Sequence, residues 1–454
     1  MAALSTIWRS FPAFYCRSRF SCLGERRKRR RRQMTRAARR SRRMLPLALA
    51  LSILLSGCWD RVEIDQRGFV VGVGVDEPVK QEEKQDNGNQ NDNNQDSGSQ
   101  SQAGQKGPSK QSFRVVYQIV MPAGLSTNKS GGGESGGKAF FNMAVEEKTM
   151  ATSMAKLSQR LSRAPFFEHL KVIVISESIA RKPRKFAETI DFFLRESQMR
   201  RSTRVMITRD SAVNILNTHP PDQKLPSQYL EELSDNTKES SRILPESRIG
   251  DVHEFLLKRK SFAIQAVTNG NPNYSTLTEA AIFNGTSNQL VGFLTSQETA
   301  GLNFLQGKVK GGQIKFSFDD RLGVFSIEKA TRSLECRFGP DHLPSFTYHV
   351  KVDGAVDEVL HAPDTLKEPS IKKMEEAVRK EIVKIMEMTI SKLQHEYNCD
   401  VMGLREYLFH NHYYWFKQHE NQWEEQGNLF ATRPVRLDVK VGVRRSGNIN
   451  LTEN

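Results

Sequence analysis

Apolar and polar residues follow two rhythms along this chain, one of period 2 and one near 3.6. Residues 69–75 (FVVGVGV) are a β-branched run that predicts a buried strand. Phe113, Val115, Tyr117, Ile119 and Met121 alternate with other residues and predict a second strand. A third, at 140–145 (FFNMAV), is followed by Ala151, Met154, Leu157 and Leu161 at helical spacing. A strand at 171–176 (KVIVIS), a helix bearing Phe186, Ile190, Phe193 and Leu194, and a strand at 204–208 (RVMIT) come next. The order β-β-β-α-β-α-β indicates a mixed sheet.

Between 222 and 275 short helical patterns, around 229–233 and 252–257, lie among Pro and Ser turns. Beyond 276 strands dominate: 290–294, then alternation at Ile314, Phe316 and Phe318, at Leu334, Cys336 and Phe338, and at Phe346, Tyr348, Val350 and Val352. A long helix carries Ile371, Met374, Val378, Ile382 and Ile385 on one face. A second helix is expected over about 402–425, and Val435, Leu437, Val439, Val441 and Val443 make a half-buried closing strand. The pattern predicts an α+β protein of three domains, with mixed or antiparallel sheets covered by helices. Their expected bounds are 58–221, a small middle domain at 222–275, and 276–454.

Residues 80–110 are rich in Gln, Asn, Asp, Ser and Gly and hold almost nothing to bury. They read as a disordered insertion between two strands, tolerated because loop closure grows costly only slowly with length.

An 11-residue apolar run at 45–55 (LPLALALSILL), behind Arg39, Arg40, Arg42 and Arg43, fits neither rhythm. A membrane-spanning helix takes about 20 apolar residues, so the run fits an export signal instead. It ends Leu55-Ser56-Gly57-Cys58, an aliphatic residue and two small ones before cysteine, in the manner of a bacterial lipobox. Small residues admit the backbone to the peptidase, and only a thiol supplies the nucleophile that accepts diacylglycerol. Cleavage between Gly57 and Cys58 and lipidation of Cys58 are therefore expected, two acyl chains making a stable anchor where one would be marginal. Residues 1–57 then form a removable basic leader and signal peptide, for which Met34 and Met44 are alternative starts.

Charge supports that division. The chain carries a formal +15, yet 15 Lys and Arg against the single acid Glu25 lie before Cys58, which leaves about +1 for the rest. A nucleic-acid partner is not expected for the mature part.

Lookalike motifs weaken on inspection. Gly132 to Lys138 spells G-x-x-x-x-G-K, but Ala139 stands where a phosphate loop needs Ser or Thr, and strand-like residues follow. His410, His412 and His419 lack a metal-ligand spacing and sit among aromatics, so structural roles are expected. Asp319-Asp320 falls in turn-like sequence. No nucleophile elbow or coherent Ser/His/Asp set appears, so no catalytic residue, cofactor or metal is assigned and no enzyme is expected. Cys336 and Cys399 either pair or remain two buried thiols.

The lipobox running into Cys58-Trp59-Asp60, the strand end Gly72-Val73-Gly74-Val75-Asp76, and Ala281-Ile282-Phe283 followed by Leu290-Val291-Gly292-Phe293-Leu294 resemble the Ger(x)C family. Those are the C subunits of spore nutrient germinant receptors. Asp400-Val401-Met402-Gly403, Trp423 and the final Arg445-Ser446-Gly447 extend the resemblance over nearly all of 58–454 in order. It implies an acylated (palmitate-bearing) lipoprotein on the outer surface of the inner spore membrane, acting with a multi-pass A subunit and a transporter-like B subunit in nutrient sensing. It implies no enzyme activity and no cofactor. The long leader, the 80–110 insertion and the absence of a Pro near 412–415 depart from the family pattern. The alternative is a solute-binding lipoprotein of an importer, which requires two similar lobes about a hinge.

Overall fold

The computed structural model describes residues 67–78, 112–125, 138–182, 184–359, 368–425 and 427–444. All belong to one compact unit, Gln66–Asn454. The leader, the lipobox and the 80–110 insertion lie outside the described residues.

Nine strands form a mixed sheet: β1 (Arg67–Asp76), β2 (Phe113–Val120), β3 (Phe140–Glu147), β4 (Ala164–Phe166), β5 (Val172–Ser176), β6 (Arg204–Thr208), β7 (Phe262–Asn271), β8 (Tyr274–Asn284) and β9 (Gln289–Leu294). Their order is β3-β2-β1-β5-β6-β7-β8-β9, with the short β4 parallel to the start of β1. The centre, β1-β5-β6-β7, is parallel, and antiparallel hairpins flank it on both sides. Its inner strands β5 and β6 are apolar along most of their length because helices cover both faces.

One face packs against α2 (Met150–Arg160), α4 (Lys185–Arg195) and α7 (Ile249–Leu257); the four-residue α1 (Pro122–Leu125) precedes α2, the four-residue α3 (Glu177–Ala180) precedes α4, and the short α5 (Ala212–Leu216) and α6 (Pro226–Ser234) precede α7. The other face carries α5 and α6 over Val116, Val172, Val174 and Met206. On that side Gly72 and Gly74 give the clearance: a Cβ on Gly74 would stand 3.1 Å from the Ala212 side chain. The two glycines thus let the strand approach α5 closely.

Four strands make the second sheet, β10 (Gln313–Phe318), β11 (Arg321–Phe338), β12 (Pro344–Val359) and β13 (Val435–Arg444), in that order. Burial alternates strictly along β10, so one face is covered and the other open. The cover consists of α8 (Ser296–Gln306), the long α9 (Glu368–Ser391) with its π-helical end Lys392–Tyr397, α10 (Leu404–Asn411), α11 (Tyr413–Trp423) and α12 (Leu429–Thr432).

The α+β class holds, and several details differ from expectation. The boundary expected at 275/276 falls inside the β7–β8 hairpin, so residues 262–294 extend the large sheet. The helix expected over 402–425 is two helices, because His412 leaves the helical region (φ −137°, ψ 48°) with its ring against Phe338 and Tyr407. That turn lets Phe416 bury while Tyr414 faces outward. Cys336 and Cys399 are both free, the second buried.

Candidate functional site

The predicted lipidation site, Cys58, and the cleavage residue Gly57 lie outside the described residues. Lys138, the end of the Gly-rich motif, leads directly into β3, so the segment opens a strand where a phosphate loop would open a helix. The three histidines have separate partners: His410 lies edge-on to Phe409, His412 edge-on to Phe338, and His419 stacks on Trp415, with Nδ1 2.8 Å from the Trp415 carbonyl. Among the described residues no three His, Cys, Asp or Glu side chains converge as a metal site. No helix among the described residues is long and apolar enough to cross a membrane.

What the distant motif residues do build is a joint between the two sheets. Asp400 ends the turn after the π-helical segment and is buried. Its Oδ1 accepts from the amides of Gly403 and Leu404 at 3.1 and 3.2 Å, and its Oδ2 from Arg405 N at 2.5 Å, which satisfies the first free N–H groups of α10. The indole Nε1 of Trp423 donates to the same Oδ2 at 2.9 Å, tying α11 to the start of α10. Gly403 sits at φ 90°, a conformation that glycine adopts freely.

Glu424 lies beside this carboxylate, its side chain only 5% exposed, and accepts from the Asp400 amide at 2.5 Å. Burial, followed by the charge of Asp400, pushes Glu424 up to about 7. Burial also raises Asp400, against the pull of the Trp423 and helix N–H donors. Arg405 answers this acidity, bonded to Glu420 at 2.8 Å and standing 3.8 Å from Glu424.

The joint reaches the large sheet at several points. Arg405 donates to the Arg259 carbonyl at 3.0 Å, Lys260 pairs with Glu406, and the Asn284 amide lies 3.7 Å from Cys399 Sγ. Desolvation pushes the Cys399 thiol up to about 12, as a buried non-reactive thiol requires. On β9, a Cβ on Gly292 would stand 2.4 Å from the Tyr397 hydroxyl, and that hydroxyl donates to the Phe293 carbonyl at 2.9 Å. Only glycine admits the tyrosine there. Beside the joint, a cleft of about 470 Å³ is lined by Asp251, Phe255, Lys260, Lys308, Arg332 and His410. Its charges are mixed, and burial lowers the Lys308 ammonium.

At the far end of the large sheet, Asp76 closes β1 and caps α5 through Ala212 N, Val213 N and the Ser211 hydroxyl, at 2.8, 3.1 and 2.7 Å. The GVGVD motif is therefore two clearances and a cap. Sequence reasoning missed Glu424, Arg405 and Lys260. An Asp three residues before a glycine at a helix start was the available signal for the first half of the joint, but nothing marked its distant partners.

A family profile described as "Spore germination protein N-terminal domain" matches residues 60–269, and one described as "Spore germination B3/ GerAC like, C-terminal" matches residues 278–447. Similar proteins in Bacillus subtilis (strain 168) include "Spore germination protein YndF", 26% identical over 90% of this chain and 98% of that protein. "Spore germination protein B3" of the same organism is 24% identical over 87% of this chain and 96% of its own length. A solved structure described as "Crystal Structure of the GerBC protein" matches with a TM-score of 0.51 at 21% identity, covering 73% of this chain and 93% of that one, a likeness of fold. The chain belongs to the GerAC-like, or Ger(x)C, family of spore germination proteins.

Proposed function

We propose that this chain is the lipid-anchored subunit of a spore germinant receptor. Diacylglycerol on Cys58 would hold it to the outer face of the inner spore membrane, where it works with membrane-embedded A and B subunits in nutrient-triggered germination. The observation that carries this reading is the co-occurrence, in one chain, of a lipobox at 55–58 and a match to both halves of the germination family across 60–447. The relatives' names, among them spore germination proteins A3, B3 and KC, support a receptor context.

The role is one of holding and presenting. The described residues offer a sheet covered on both faces and a second sheet with one face open, joined by a satisfied polar network. The importer reading is not favoured, because two similar lobes about a hinge are not what a single nine-stranded sheet with a smaller, differently ordered one provides. Replacing Cys58 by Ala in spores tests the proposal. The expected result is loss of the protein from the spore membrane and an impaired nutrient response. Normal membrane retention with a normal response contradicts it.

A further inference from the structure

The parallel strands β1, β5 and β6 all begin at one edge of the large sheet, and β2 ends there, since Val70 pairs with Ile119. Cations gather along this edge. Arg67 opens β1 with its guanidinium 4.0 Å over the Phe166 ring, Arg163 precedes β4, and Arg200 and Arg201 precede β6. Arg163, Arg200 and Arg201 are exposed. Their shared location is fixed by the backbone: Arg204 N donates to the Lys171 carbonyl and Lys171 N to that of Val71, while Gly68 lies 3.7 Å from the Arg163 Cβ by the position its own Cβ would take.

The ion pairs at this edge involve other cations. Lys171 pairs with Glu231, and Arg204 with Asp235 and Glu246. Arg67, Arg163, Arg200 and Arg201 form none among the described residues; the nearest acids in sequence are Asp65 for Arg67, the exposed Glu168 for Arg163 and Glu196 for Arg200 and Arg201. At the end of β2 the same edge exposes two apolar side chains, Met121 (40%) and Leu125 (37%). Unpaired arginines beside exposed apolar side chains suit a phospholipid interface, where guanidinium groups meet phosphates and aliphatic groups enter the headgroup layer.

Covalent reach supplies the direction. Nine residue steps separate Cys58 from Arg67, and an extended chain covers at most about 3.3–3.6 Å per residue, so roughly 30 Å in all. If Cys58 carries the lipid, β1 starts within that distance of the bilayer, and the edge it starts from is the arginine edge.

We propose that this edge, through Arg67, Arg163, Arg200 and Arg201 with Met121 and Leu125, docks on an anionic phospholipid surface. The inference rests on the anchor reading above and gives the anchored protein a fixed orientation, with the opposite ends of β1, β5 and β6 pointing away from the membrane.

The test uses the chain from Cys58 onward, which holds every described element, with Cys58→Ser so that no acyl chain contributes. It is floated with vesicles containing phosphatidylglycerol and with vesicles of phosphatidylcholine alone. Expected are binding to the anionic vesicles only, weakening with salt, and a loss of about tenfold or more in the combined Arg163→Glu, Arg200→Glu, Arg201→Glu variant at unchanged melting temperature. Equal binding to both vesicles, no binding to either, or unchanged binding by the variant overturns the proposal; so does a variant-sensitive interaction with an acidic protein partner in a chain indifferent to vesicles. Detergent-phase partition of the intact acylated protein reports on the anchor separately, so failure of docking and failure of anchoring are told apart.

Discussion

Each sheet has one buried aspartate that caps a helix, and the two differ in their company. Asp76 ends β1 and serves α5, more than 130 residues further along the chain, with two amides and one hydroxyl that all belong to that one helix start. Asp400 serves α10 with three amides, but it also receives the Trp423 indole and sits against a second buried carboxyl, Glu424. The first is a cap. The second is a cap turned into a joint, because its extra partners come from α11 and, through Arg405 and Lys260, from the start of β7. Buried polar groups are costly when unsatisfied, so the joint holds the two sheets in one arrangement only while all its members are present.

The largest expected effect breaks that contrast at its richer end. Asp400→Ala leaves three helix amides and a buried indole N–H without an acceptor, and is expected to cost about 3–5 kcal/mol. Asp76→Ala removes a helix cap and is expected to cost about 1–2 kcal/mol. Urea unfolding of the two variants measures the difference. Equal losses would mean that the Trp423 indole contact adds nothing beyond capping.

A smaller effect sharpens the same contrast through pH. Glu424 holds its proton up to about 7 in the folded chain, against 4.5 for an ordinary glutamate. The folded state therefore binds more protons than the unfolded state between those values, and stability contributed here falls as pH rises through the window. Glu424→Gln, which stays neutral, is expected to flatten the fall between about pH 5 and about pH 8 by on the order of 2–3 kcal/mol, read from urea midpoints at both values. A slope identical to that of the parent chain would show that Glu424 ionises normally.

How far the sequence revealed these features depended on how local each one is. β5 and β6 were legible because strands buried on both faces must be apolar throughout, as VIVIS and RVMIT nearly are. The long helix α9 and the strands of the second sheet showed clean periods because each has one wet face. By contrast α8 was missed: residues 298–305 are all buried, so no polar stripe marks its period. Its capping box, Thr295 with Glu298, was the overlooked signal. β7 was missed because Gln265, Thr268 and Asn269 interrupt its apolar run, although the buried Gln265 Nε2 donates to the Leu244 carbonyl at 2.7 Å. The break at His412 depends on Phe338, more than 70 residues away, and the pairing of Asp400 with Glu424 likewise exists only in the fold. Resemblance picked out Asp400, Gly403 and Trp423 as a set; their chemistry needed coordinates.

The joint holds the two family regions in one body, and the proposed lipid anchor at Cys58 ties that body to a membrane. Mass spectrometry of the N-terminal peptide of the protein isolated from spore membranes tests it most directly. The expected peptide starts at Cys58, and that residue carries the mass of diacylglycerol. A peptide that reads through Gly57 into an unmodified Cys58 contradicts it.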